Sequence, residues 1–197
     1  MIQTRSAKIA CVAVSLVLAF GLSAFAQQAA VPDTNYDVTL QLIIGSNEPG
    51  AKSDVPANLN PITSQIKSNF NFSGYKLAST FVGRIANHGY FEYESVTTID
   101  GKDISSAVPT FLDWSLKDLQ PNANSKELQA QAFRFGARVP VAVGDATKGQ
   151  GINYERMGIS LTRVGLNENV PTLIGTLHLP GTSGTIFLVM TIRNATN

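Results

Sequence analysis

Thr185-Ile186-Phe187-Leu188-Val189-Met190-Thr191-Ile192-Arg193, residues 185–193, is the stretch that decides the fold. In an extended chain successive side chains point to opposite faces, so Ile186, Leu188, Met190 and Ile192 share one face while Phe187 and Val189 share the other. A strand that is apolar on both faces must be covered on both, and this one therefore reads as a central strand. Thr172 to Leu179 precedes it across Pro180-Gly181-Thr182-Ser183-Gly184, a spacing that predicts a hairpin.

Working outward, Tyr36 to Ile44 alternates Val38, Leu40, Leu42 and Ile44 with Asp37, Thr39 and Gln41, the period of a half-buried strand. Gly45 to Asn58 is dense in Gly, Pro, Asn and Ser and reads as loop. Leu59, Ile62, Ile66 and Phe70 then fall on one helical face, with Asn60 as the expected cap and Pro61 as the first helical residue. Asn71 to Gly74 ends that helix.

Tyr75 to Asn87 spaces Leu77, Phe81 and Ile85 by four, which suits a helix stripe and a strand alike. Its Tyr, Thr, Phe, Val and Ile content favours a strand, with Asn87-His88-Gly89 as a hairpin turn to a partner strand at Tyr90 to Ile99, closed by Asp100-Gly101. Phe111 to Leu119, Glu127 to Val139 ending at Pro140, and Asn153 to Val164 after the glycine-rich Gly144 to Gly151 complete the strands. Many strands at short intervals, one early helix and no strand–helix rhythm predict a mainly β (α+β) domain over residues 36–197. The expected architecture is an antiparallel β-sandwich or half-open barrel with one short helix packed on it. A strand, a short helix and further strands is similar, in element order alone, to small periplasmic domains of secretion and pilus machinery; no family with transferable residues is identified.

The first twenty-six residues read as a secretory signal peptide. Arg5 and Lys8 supply the positive start, Ile9 to Gly21 the apolar segment, and Ala24-Phe25-Ala26 the small-x-small cleavage site before Gln27. Residues 27–35 form a mobile leader. Cys11, the one cysteine of the 197 residues, falls within the signal, so a cleaved chain has neither thiol nor disulfide. Lys8 stands where a lipobox needs an apolar residue, which rejects a lipidated Cys11. Loss of Arg5 and Lys8 takes the net charge from +1 to −1, with signs scattered along the chain. That balance gives no footprint for nucleic acid or an anionic membrane, and no later apolar run reaches the length of a membrane span.

Chemistry is sparsely signalled. His88 beside Glu92 and Glu94 lacks the ligand spacing of a zinc site, and His178 reads as an outward sheet residue. No G-x-S-x-G elbow surrounds a serine, and Ser183 reads as a turn residue. Asp33-Thr34-Asn35-Tyr36-Asp37 opens like a calcium loop but has Val38 where glycine is needed and Ile44 in place of the bidentate acid. Gly144 to Gly151 lacks the Lys and Ser/Thr of a phosphate loop. No catalytic residue, metal or cofactor is therefore expected. The candidate binding residues are the aromatics Tyr90, Tyr93 and Trp114, as an exposed platform, although alternation can equally send Phe91 and Tyr93 into a core.

These features favour an exported, soluble, non-catalytic binding or scaffolding module of the bacterial cell envelope, secreted or periplasmic, whose partner is another envelope protein or a glycan. A sheet edge able to accept a partner strand is one route to such binding. The alternatives are a small exported hydrolase of polysaccharide or peptide using spatially paired carboxylates, such as Glu92 with Glu94 or Asp113 with Asp118, and a carbohydrate-binding β-sandwich. The expected exported product starts at Gln27; intact-mass measurement and N-terminal sequencing check this, and a product retaining Cys11 overturns the leader reading.

Overall fold

The fold was read from a computed structural model, which describes residues 34–50, 53–97, 108–122, 127–144, 151–180 and 184–195. The expected signal peptide, residues 27–33 of the expected leader, the turn at 100–101, positions 145–150 and Ser183 lie outside the described residues. The described part belongs to one compact unit, Asp33–Asn197.

Eight strands and one α-helix are formed by the described residues: β1 (Asn35–Ser46), α1 (Asn60–Asn69), β2 (Gly74–Ala86), β3 (Tyr90–Thr97), β4 (Thr110–Pro121), β5 (Glu127–Val143), β6 (Gly151–Asn167), β7 (Thr172–His178) and β8 (Thr185–Asn194). They make two antiparallel four-stranded sheets, ordered β2-β1-β8-β7 and β3-β4-β5-β6. Strands adjacent in sequence pair except at β2–β3 and β6–β7, and β1 pairs with β8 from Tyr36↔Asn194 to Gly45↔Thr185. The chain is thus an up-and-down meander whose first and last strands meet, opened into two layers between β2 and β3 and between β6 and β7.

Alternation explains the layers. Val38, Leu40 and Leu42 of β1 and Leu188, Met190 and Ile192 of β8 face Leu112, Trp114, Leu116, Phe133 and Phe135 of the other sheet, forming the main core. The opposite faces of β1 and β8 contribute Ile43, Phe187 and Val189 to a second core with Leu59, Ile62 and Ile66 of the helical segment and Tyr75 of β2. Phe70 stands edge-on to Phe187 with ring centroids 4.9 Å apart. The two apolar faces read from residues 185–193 are therefore the two cores, and β8 is a central strand between β1 and β7.

Three sequence expectations change. Asn60 is the first residue of α1, and its backbone N–H donates to the Ala57 carbonyl to close a short 3₁₀ turn, Ala57–Leu59; the N-cap position of α1 belongs to Leu59. Pro61, in the first turn, needs no N–H there, so the helix starts without a side-chain cap. Pro140 does not end β5, which continues to Val143 with Pro140 opposite Tyr154 on β6. Residues 75–87 form a strand, as expected, but β3 is not its partner: β2 pairs with β1 and β3 with β4.

The Asn87-His88-Gly89 segment is consequently a corner between sheets. His88 takes a left-handed φ of 58° and Asp118 one of 54°. The His88 N–H donates to the Leu119 carbonyl (3.0 Å), the Asp118 N–H to the Gly89 carbonyl (2.8 Å), and His88 Nδ1 lies 2.8 Å from Asp118 Oδ1. Gly83 leaves the room into which the Phe91 ring fits; a Cβ there would overlap it.

Because β8 is covered on both faces, truncation on either should destabilise by a core-sized amount. Phe187→Ala is expected to cost about 3–5 kcal/mol and Leu188→Ala about 2–5 kcal/mol in denaturant unfolding. An effect within about 0.5 kcal/mol at either position, the surface range, would contradict the two-core arrangement.

Candidate functional site

α1 covers the outer face of the β2-β1-β8-β7 sheet, but no described helix or strand packs on the outer face of β3-β4-β5-β6. Strand register arranges its outward side chains in cross-strand rows. One row reads Glu92, Ser115, Arg134, Ser160; the next Glu94, Asp113, Gly136, Gly158; the next Val96, Phe111, Arg138, Arg156. The charged residues and the glycines line an open groove of about 620 Å³. A smaller depression of about 280 Å³ extends it over Glu94, Val96, Phe111, Asp113 and Arg138.

The signs are sorted: carboxylates come from β3 and β4, guanidiniums from β5 and β6. Glu94 stands directly opposite Asp113, and Arg138 directly opposite Arg156. Like charges placed directly across a ladder are destabilising. The other sheet does the reverse, setting Asp37 opposite Arg84 with Nε–Oδ1 at 2.8 Å. Among the described residues ion pairs join Arg84 to Asp37 and His88 to Asp118; none joins the carboxylates and arginines of the groove.

Several side chains are fixed by neighbours. The guanidinium of Arg138 lies over the Phe111 ring, 4.8 Å from its centroid, and Phe111 packs on Tyr154 at 5.6 Å. Such a cation–π contact holds the charge in place without neutralising it. The Asp113 carboxylate leans across onto β5: a Cβ on Gly136 would lie 2.6 and 2.7 Å from its two oxygens. Gly136 thus makes room for that carboxylate, and Asp113 reaches from the acidic half toward the basic half. At the rim, hydrogen bonding to Glu92 is the main cause that raises the Tyr90 phenol above its ordinary range.

Of the aromatic candidates, Tyr90 is 59% exposed whereas Trp114 is 1% exposed. Tyr93 is half-buried against the core, 5.2 Å from Phe81 and 6.3 Å from Trp114, and Phe91 lies 4.8 Å from Trp114. Alternation sends Phe91, Tyr93 and Trp114 inward, leaving Tyr90 as the one of the three candidates that presents its ring to solvent. Of the carboxylate pairs, Glu92 and Glu94 share the groove with Asp113, while Asp118 faces His88 at the sheet corner. His178 is exposed on β7. Among the described residues no group of three His, Cys, Asp or Glu side chains is placed to hold a metal ion.

No family model and no curated protein matches the chain. Solved structures give a faint likeness. A type II secretin from enteropathogenic Escherichia coli is 7% identical at a TM-score of 0.44, covering 91% of this chain and 74% of that one. The secretin of the Salmonella SPI-1 type III secretion injectisome is 9% identical at 0.41, covering 91% and 66%. The ETEC pilotin–secretin complex gives 9% and 0.44, covering 91% and 53%. At these scores the likeness carries no statement about what this chain does. No helix among the described residues is long and apolar enough to cross a membrane.

The arginines were not singled out in the sequence, although a signal for them exists. Arg134-Phe135-Gly136-Ala137-Arg138 and Arg156-Met157-Gly158-Ile159-Ser160 each put a glycine between two polar residues on one face of a strand. Arg156→Glu should relieve the repulsion across β5 and β6 by roughly 0.2–1 kcal/mol. The thermal midpoint should rise by about 1–4 °C in calorimetry. A lower midpoint would show that the opposed arginines do not strain the fold.

Proposed function

We propose that the protein is an exported, non-catalytic binding or scaffolding module of the bacterial cell envelope, and that the outer face of β3–β6 is the surface that engages its partner. The observation that supports this reading is the sorting of like charges across the ladder. A sheet evolving for stability alone gains by alternating signs, as Asp37 and Arg84 do. Departures from such a local rule are expected where function has claimed the residues. The export half of the proposal rests on the leader sequence, Arg5 through Ala26.

The Glu94–Asp113 opposition also supports a second reading, hydrolysis by paired carboxylates. A glycosidase acid is kept protonated by an apolar, desolvated setting. Glu92 and Glu94 are exposed and Asp113 is only half-buried on an open face, a setting better suited to recognition than to proton donation.

Affinity capture from the native envelope fraction tests the leading reading. The wild-type protein should retain partners that a variant with Arg134, Arg138 and Arg156 all changed to Glu does not, while Arg84→Ala on the other sheet retains them. Equal capture by wild type and the charge-reversed variant, both shown folded by circular dichroism, would rule out this face. Turnover of a polysaccharide or peptide that is lost in both Glu94→Gln and Asp113→Asn would instead favour the hydrolase.

A further inference from the structure

We propose that the groove over Gly136 and Gly158 takes a small zwitterion, a short peptide with both its ammonium and its carboxylate free. The inference rests on the binding-face reading above and names the chemistry of what that face holds. Three observations point the same way: a concave volume, a floor where two glycines pair beneath the Asp113 carboxylate, and walls of opposite sign that form no ion pair with each other among the described residues.

The volume of about 620 Å³ lies within the range of small-ligand sites. Its floor is formed where Gly136 pairs with Gly158; the Asp113 carboxylate lies over Gly136, so a ligand meets that carboxylate there and can approach the backbone of β6 at Gly158. The Glu94 and Asp113 carboxylates make one wall and suit an ammonium group, which needs acceptors on several sides. The Arg138 and Arg156 guanidiniums make the other and suit a carboxylate, which a guanidinium binds through two parallel hydrogen bonds.

Spacing selects the size. Neighbouring strands stand about 4.8 Å apart, so β4, which bears Asp113, and β6, which bears Arg156, are separated by roughly 10 Å at the backbone. Side chains reaching inward from both walls shorten the gap between their charges. An extended dipeptide spans roughly 7 Å between its ends. A purely anionic ligand would satisfy the arginines and leave Glu94 opposed to Asp113; a purely cationic one would leave Arg138 opposed to Arg156. Only a ligand carrying both signs relieves both like-charge pairs at once.

Alanyl-alanine is the probe, used with the whole chain expressed with its own leader and purified as it accumulates. Calorimetric titration should give saturable binding, and amide shifts should centre on Gly136 and Gly158. N-acetyl-alanyl-alanine and alanyl-alanine amide, each missing one charge, should bind at least about tenfold more weakly, a loss of about 1.4 kcal/mol. Asp113→Asn and Arg156→Gln should weaken binding to a similar degree. Gly136→Ala, which alters no charge but displaces the Asp113 carboxylate, should also weaken it, whereas Arg84→Ala should not. Equal affinity for the blocked and free peptides, shifts centred elsewhere, or no saturable binding would overturn the inference. Absence of peptide binding combined with charge-dependent envelope capture would sink the zwitterion and leave the binding face standing; peptide binding with charge-independent capture would do the opposite.

Discussion

Everything else in this structure depends on the pairing of β1 with β8. The two strands are far apart in the chain, yet they lie side by side at the centre of one sheet and bury both of their faces. Burying both faces requires two covers. α1 supplies one and the β3-β4-β5-β6 sheet the other. Once those two layers are committed to β1 and β8, the broad sheet face left without a described cover is the outer face of β3–β6. The position of the candidate site is therefore a consequence of how the chain closes on itself.

The two sheets meet at two seams, between β2 and β3 and between β6 and β7. At one seam Phe81 packs on Tyr93, Tyr93 on Trp114 and Trp114 on Phe91, tilted ring against ring between β2, β3 and β4, with centroid separations of 4.8 to 6.3 Å. Aromatic pairs of this geometry add to the burial of their area. At the other seam Ile159 of β6 comes so close to β7 that a Cβ on Gly175 would lie 2.7 Å from its Cδ1. Side chains join the two sheets at these seams, aided at the second by the isolated bridge of Glu168 with Ile192, where the Asn169 N–H donates to the Ile192 carbonyl (2.7 Å). A backbone continuous through the Asn87–Gly89 turn thus changes sheet at a point where composition alone suggests an ordinary hairpin.

That contrast shows what was legible in the sequence and what was not. β8, β1 and the apolar face of α1 could be read because each depends on periodicity, which is local. The strand at residues 75–87 was recoverable from residue type, but its partner was not, since neither the fit of Phe91 over Gly83 nor the contact of His88 with Asp118, thirty residues on, leaves a periodic signal. The platform at Tyr90, Tyr93 and Trp114 shows the same limit, because strand parity and not aromatic content decides which ring faces water. Glu92, Glu94 and Asp113 could be named as carboxylates of interest. Their opposition to one another, and the facing arginines, exist only in the register.

The two opposed arginines are not equivalent, and the difference follows from the strands that carry them. β5 lies between β4 and β6, and Arg138 is held over Phe111 by a contact that Tyr154 supports from β6. β6 is an edge strand whose inward residues Met157, Ile159 and Leu161 are only half-buried, and Arg156 extends from it exposed. Ordering a long exposed side chain on binding costs about 0.5–1.5 kcal/mol, whereas a side chain already held in place is spared most of that loss. On the proposed binding face, Arg138 therefore suits the role of an anchor that sets orientation, and Arg156 that of an arm ordered on binding. Both guanidiniums are exposed, so what separates them is the ring: Arg138, on an interior strand, lies over Phe111, whereas Arg156, on the edge strand, has no ring contact among the described residues.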